Sequence, residues 1–301
     1  MTPQGTTASG EVAVKLNEYV SRGPWVEGFL RLLRHKTALV GLIIVGILLF
    51  TALLAPLLAP YDPITQDLPN RLQAPSSEHL FGTDAHGRDI LSRIIHGTRI
   101  SIQIGIIAVG ISLIFGTFLG AVSGYYGGKL DLVVMRAIDI VMAFPYILLA
   151  IAITAMLGPG LTNAMIAIGL VGIPIYARVI RGVVLSVKEM EYIDAAKVSG
   201  CSNFRIIFRH VLPNCMAPLV VQATLGVGTA ILDAAGLGFL GLGAQPPHPE
   251  WGIMLNQGKE VMSIAPWVIM FPGAAILLVV LGFNLLGDGL RDALDPRLKD
   301  S

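Results

Sequence analysis

Residues Glu191–Pro213 read EYIDAAKVSGCSNFRIIFRHVLP, a polar stretch set between long apolar runs. It is too charged to cross a bilayer, yet it carries helix signals of its own. Tyr192, Ala195, Ala196 and Ser199 fall at i, i+3, i+4 and i+7, so they share one small-residue face of a short helix. Asp194 and Lys197 are spaced to pair on its flank. Gly200 stops the helix as a residue tolerant of the left-handed conformation, and Ser202 offers an N-cap for a second helix ending near Pro213. Small residues let a partner's backbone come close; a solvated loop helix with an ordinary cap fits the same spacing.

The surrounding composition decides the class. Of 301 residues, 54% are hydrophobic and 14% charged, against about a quarter charged in soluble domains. With a mean hydropathy of +0.71, the chain reads as an all-α, polytopic integral membrane protein. Six apolar segments are legible, approximately 38–59, 100–124, 132–157, 162–180, 214–243 and 266–287, most near the ~20 residues that span a bilayer. In the third, Arg136 and Asp139 are spaced to pair with each other on one helix face.

Orientation follows from the 21 Lys and Arg residues. An inside N-terminus leaves only Arg71, Arg88, Arg93, Arg99 and Lys259 in the outer loops. The positive-inside rule therefore predicts that both termini and the Glu191–Pro213 stretch are cytoplasmic. Cys201 and Cys215 then read as unpaired thiols of a reducing compartment. A net charge of +1 gives no support for a nucleic-acid partner.

Residues 1–37 are expected to form a cytoplasmic tail and an amphipathic helix, and residues 38–301 the transmembrane domain. Met1 to about Glu18 is small and polar without periodicity, the pattern of a disordered tail. The first apolar run starts too late and runs too long for a secretory signal. From Pro24, residues Trp25, Phe29, Leu32 and Leu33 share a face that can lie on the membrane surface or pack on the bundle.

Within the transmembrane domain, an outer loop at 61–99, a cytoplasmic loop at 181–213 and an outer loop at 244–265 are predicted. The first outer loop has Gly82, Gly87 and Gly97 as turns around a short helix between Asp89 and Ile95. The second opens with Gln245, Pro246, Pro247, His248, Pro249, Glu250 and Trp251, and its prolines make it stiff.

Gly116, Gly120 and Gly124 recur every fourth residue, a groove for a close helix neighbour. Gly236, Gly238, Gly241 and Gly243 are denser, and permit local unwinding that would suit a gate. Asp233 lies mid-segment, where an acid costs ~2.5–3.5 kcal/mol on insertion scales, so it must face the bundle interior or a watery cavity. There it either lines a watery pathway or makes a buried hydrogen bond to a neighbouring helix.

Catalytic motifs are missing. The best phosphate-loop match, at Gly128 and Lys129, has Leu130 where Ser or Thr should hold magnesium and Ser123 in place of the first glycine. H-E-x-x-H and G-x-S-x-G are absent, and Asp288, Asp292 and Asp295 lack calcium-loop spacing. His79, His86 and His96 could bind a metal only if their loop brought them together. A proton-coupled transporter would also use intramembrane acids, but no internal repeat is visible.

Asp194, Ala195 and Ala196, then Gly200, Leu212 and Pro213, resemble the EAA loop of permease subunits of ATP-binding-cassette importers, with Asp194 for the usual Glu and His210 at an aliphatic position. FGTDAHGRDILSR, AVSGYYGG, MRAIDIVMAFPYILLA and GFLGLGAQPPHPEWGIML look like the C-type permease of the dipeptide, oligopeptide and nickel group. ILDAAGLGFLGLGAQPP is most similar to the dipeptide member.

The resemblance implies a type I importer permease with a MetI-like core, in the bacterial inner membrane. It implies a second homologous permease, two ATP-binding subunits inside and a substrate-binding protein outside. Selection belongs largely to that binding protein, so oligopeptides, nickel chelates and haem stay open as cargo beside dipeptides. ATP and magnesium would be used by the partners, with no cofactor on this chain. Tyr192, Asp194, Ala195, Ala196, Ser199 and Gly200 would form the coupling helix, with Leu212 and Pro213 fixing its return to the membrane. Thr83, Asp84, Gly87, Arg88, Asp89, Gln245, Pro246, Pro247 and Trp251 are candidates for binding-protein contact, and Asp233, Gly236 and Gly238 for the pathway.

Overall fold

Gly116, Gly120 and Gly124 lie on one side of a 37-residue helix, α3 (Ile90–Tyr126). This computed structural model, describing residues 30–33 and 35–294, lays that strip against α6 (Leu161–Val187) in the most extensive helix pairing of the molecule. A Cβ on Gly116 would sit 2.8 Å from the Ile173 carbonyl oxygen, and one on Gly124 3.0 Å from the Val184 Cβ. On Gly120 it would overlap the Ala177 carbonyl. The strip is a packing surface, as its spacing predicts.

In chain order α1 (Lys36–Leu53) and the short α2 (Ala55–Leu58) come before α3. After it come α4 (Gly128–Met142), α5 (Tyr146–Leu157), α6, α7 (Glu191–Val198), α8 (Asn203–Ile206), α9 (Met216–Phe239), α10 (Trp251–Gly258) and α11 (Trp267–Leu294). Among the described residues there is no strand, only an isolated bridge between Thr83 and Asp89. Among the described residues five helical stretches are long and apolar enough to cross a membrane, or six with the bent pair α4–α5 counted as one span. Their outward faces carry exposed Ile43, Phe50, Ile114, Phe118 and Leu277.

Four local expectations are corrected. The short helix at Asp89–Ile95 is the first turn of α3, capped by the Asp89 carboxylate on Ser92 N at 2.7 Å and continuing without a break. The third apolar segment bends by 88° at residues 143–145, where Pro145 cannot donate a helical hydrogen bond and Phe144 before it is pushed out of the helical region. Asp139 accepts from Arg178 on α6 at 2.5 Å rather than pairing with Arg136. Asp131 takes Arg181 in a fork at 2.6 and 2.7 Å. Finally, the helix begun at Ser202 does not end near Pro213. It passes through a wide π turn at Ile207–Val211 and a 3₁₀ turn at Leu212–Cys215 into α9, which absorbs the proline's missing N–H.

The core has two main layers. One, from Ile104 and Val109 through Ile180 and Val184 to Ile193, Ile206 and Val211, lies toward the Glu191–Pro213 end. The other gathers Ile90, Ile231, Trp251, Met254, Val268 and Val279 at the opposite end. A smaller cluster packs Leu32 against Ala38 of α1 and Ala293 of α11, so this residue of the amphipathic segment is buried on the bundle. The tail, Pro24, Trp25, Phe29 and Asp295 lie outside the described residues.

Candidate functional site

α7 stands at the end of the bundle on a single anchor. Ile193 is fully buried, Ala196 turns halfway onto the inner core, and Tyr192, Asp194, Ala195, Val198, Ser199 and Gly200 are exposed. Two backbone bonds close the helix, Cys201 N to Ala196 O at 3.1 Å and Gly200 N to Lys197 O at 3.0 Å. This is a Schellman motif, with Gly200 at φ +78° in the left-handed position that favours glycine. Asp194 accepts from Lys197 at 2.9 Å, which raises the lysine's pKa. Ser202 caps α8 through Arg205 N at 3.4 Å. The Tyr192 hydroxyl accepts from Asn214 Nδ2 at 3.1 Å, and the same amide donates to His210 O at 2.6 Å. Leu212 is half-buried against the inner core and Pro213 is exposed.

The interior offers a polar face. Gln222, Thr229 and Asp233 fall at i, i+7 and i+11 on α9 and therefore line up. Gln222 and Thr229 join Ser112 of α3, Tyr146 of α5 and Tyr176 of α6 around a cavity of about 60 Å³. Asp233 lies one turn beyond Thr229, with the Tyr146 side chain beside it. The unwinding expected of the glycine-dense end does not occur within α9: Gly236 and Gly238 are both helical, and Gly241 (φ +81°) follows its end. A Cβ on Gly238 would meet Glu250 Oε2 at 2.6 Å, so this glycine admits the start of α10.

The loops at 61–99 and 244–265 form one buried polar knot. Asp84 accepts from Arg88 Nε at 2.6 Å and from the backbone of His86 and Arg88 at 2.8 and 3.0 Å. Arg93 Nε lies 3.7 Å from it. Arg88 Nη2 donates to Gln257 of α10 at 2.9 Å, and Trp251 Nε1 to Ile94 O at 3.2 Å. His79 Nδ1 meets Asp89 at 2.9 Å, and Thr83 donates to Asn70 O at 2.6 Å. Glu250 caps α10 on Gly252 N and Ile253 N, while burial raises its carboxyl's pKa against those bonds.

Residues 116–300 match the family described as binding-protein-dependent transport system inner membrane component, and residues 23–75 the N-terminal transmembrane domain of oligopeptide transport permease C. The chain belongs to these transport permeases. It is 54% identical to a dipeptide transport system permease protein of Alkalihalophilus pseudofirmus over 99% of this chain and 97% of the relative. A glutathione transport system permease protein of Pectobacterium atrosepticum is 48% identical over 92% and 93%. Among solved structures, an inward-facing methionine transporter, MetNI, aligns with a TM-score of 0.56 at 20% identity, covering 68% of this chain and 98% of that one, and so shares its fold.

For the permease, the geometry redraws the outer candidates. Thr83, Asp84, Gly87, Arg88, Asp89 and Trp251 are all buried, so they brace the end of the bundle opposite α7 instead of presenting a surface there. Gln245, Pro246 and Pro247 remain exposed. Polar residue types had suggested a surface; mutual satisfaction of their hydrogen bonds keeps them inside. Three exposed apolar residues were missed at the other end: Val198 at 89% exposure on α7, with Phe204 and Phe208 in the stretch that follows it. Their signal was apolar residues standing within a polar run.

Asp84→Ala leaves the Arg88 guanidinium buried without its carboxylate. The expected loss is about 3 kcal/mol, as for breaking a buried ion pair. Thermal unfolding of the detergent-solubilised permease measures it; an unchanged midpoint would show that Gln257 alone suffices.

Proposed function

We propose that this permease forms half of the pathway of an ATP-driven importer for dipeptides, paired with a second, homologous permease. α7 and its Gly200 turn dock on an ATP-binding subunit, with Tyr192, Asp194, Ala195 and Ser199 toward that partner, Ala196 bracing the helix and Leu212 and Pro213 setting its return to the membrane. The observation carrying this role is a capped helix, fixed by Ile193, whose other faces are open. Nucleotide and magnesium belong to the two ATP-binding subunits, and this chain holds no cofactor. Docking does work only if it favours one transport state over the other, since equal affinity for both would shift nothing.

Both termini and α7 are assigned to the cytoplasm by the distribution of Lys and Arg. The binding protein then meets the opposite face, where Gln245, Pro246 and Pro247 are exposed. The dipeptide cargo rests on end-to-end similarity to a dipeptide permease. Relatives named for glutathione transport supply a tripeptide as the second candidate.

The test is uptake of a labelled dipeptide by vesicles holding both permeases and both ATP-binding subunits, with the binding protein supplied. Uptake should require ATP and ignore a protonophore. Uptake driven by a proton gradient without ATP refutes the importer assignment; glutathione outcompeting the dipeptide at equal concentration moves the cargo to the tripeptide.

A further inference from the structure

The polar face of α9 ends on a carboxylate that lacks a counter-charge. Asp233 Oδ2 is enclosed and makes no hydrogen bond among the described residues. The ion pairs that α6 makes use Asp139 and Asp131. The groups facing α9 around the cavity are hydroxyls, those of Ser112, Tyr146 and Tyr176. Just past α10, Lys259 lies over the Phe239 ring, 5.9 Å from its centre, and from α10 Asn256 donates to Phe239 O at 2.5 Å. Neither is bonded to Asp233.

A full ammonium needs three acceptors and one opposite charge when it leaves water. Asp233 supplies the charge, and the hydroxyls of Tyr146 beside it and of Thr229 one turn away supply neutral acceptors; Gln222, about 16 Å further along the axis, lies deeper in the cavity. Asp233 also sits at the right depth. It lies six residues, about 9 Å along the axis, inside the outer end of α9 at Phe239, so a solute entering from that side meets this acid before the cavity. We propose that Asp233, assisted by Tyr146 and the cavity below it, receives the α-ammonium of the transported peptide. The proposal rests on the peptide-importer assignment. It turns a costly intramembrane charge into a selective element, one weak enough to release its guest because only one acid holds it.

Discrimination by the binding protein must be removed from the test. The complete complex of permeases and ATP-binding subunits, in nanodiscs without binding protein, is irradiated with alanyl-photoleucine, and labelled peptides are found by mass spectrometry. Labelling should fall near Tyr146 or Asp233. Alanyl-alanine should compete at about tenfold lower concentration than N-acetyl-alanyl-alanine, the scale of one charge-assisted hydrogen bond. Asp233→Asn should lose about tenfold in labelling and in ATP-driven uptake, and Asp233→Glu should keep most of both.

Equal competition by the two peptides on the wild-type complex overturns the proposal without relying on any variant's folding. So does unchanged labelling in Asp233→Asn. If wild-type vesicles take up dipeptide yet competition is equal, the role of Asp233 alone fails. If they take up none, the cargo assignment fails and this proposal with it.

Discussion

Gly120→Leu in α3 is expected to abolish the folded permease. The added side chain would have to start inside the Ala177 carbonyl of α6, a backbone group that cannot rotate away. Overpacking a core by a few methylenes costs about 1–3 kcal/mol when side chains can yield; here two helices must separate along their most extensive contact, so the loss should reach the top of that range or exceed it. Gly110→Leu on the same helix is the control, since its Cβ meets nothing within 4 Å. The yield of monodisperse protein in detergent should collapse for the first variant and hold for the second. Equal yields would show that α3 and α6 are not locked at this point.

Ala195→Trp is expected to leave the fold intact and cut transport by more than about tenfold. Ala195 is exposed, so the indole meets solvent in the isolated chain, and surface changes of this kind usually move stability by no more than about 0.5 kcal/mol. In the assembled importer the same indole would stand between α7 and its ATP-binding partner, where small residues allow close approach. Co-purification with the ATP-binding subunits should fail together with uptake. Lys197→Ala removes only a solvent-screened surface pair with Asp194, and should do little. Normal assembly and uptake by Ala195→Trp would refute the docking role of this face.

Hydropathy made the spans legible because a bilayer imposes one length on every crossing helix. It could not show which proline breaks one. Pro174 lies inside α6 and Pro272 inside α11, both intact, whereas Pro145 starts a new helix at 88° to the last. The difference is tertiary: a freed backbone group survives in a helix only where neighbours re-satisfy it. Arg136 and Asp139 likewise offered a local pair, and the longer-range Arg178 proved the better partner because it comes from the facing helix. The turn between α7 and α8 was readable since its caps are local signals, Ser202 and Gly200 above all, whereas the continuation past Pro213 was not. The buried polar knot was not, because burial of Asp84 and Arg88 depends on Gln257, far away in sequence.

The continuous helix from Asn203 to Phe239, 37 residues through its π and 3₁₀ turns, spans about 55 Å at the α-helical rise. It joins the Gly200 turn to the Gln222–Asp233 face without an intervening loop. Such a member has little axial slack, so a push at its Gly200 end would appear at the cavity as translation of α9. The wide turn at Ile207–Val211 is where that member has torsional give.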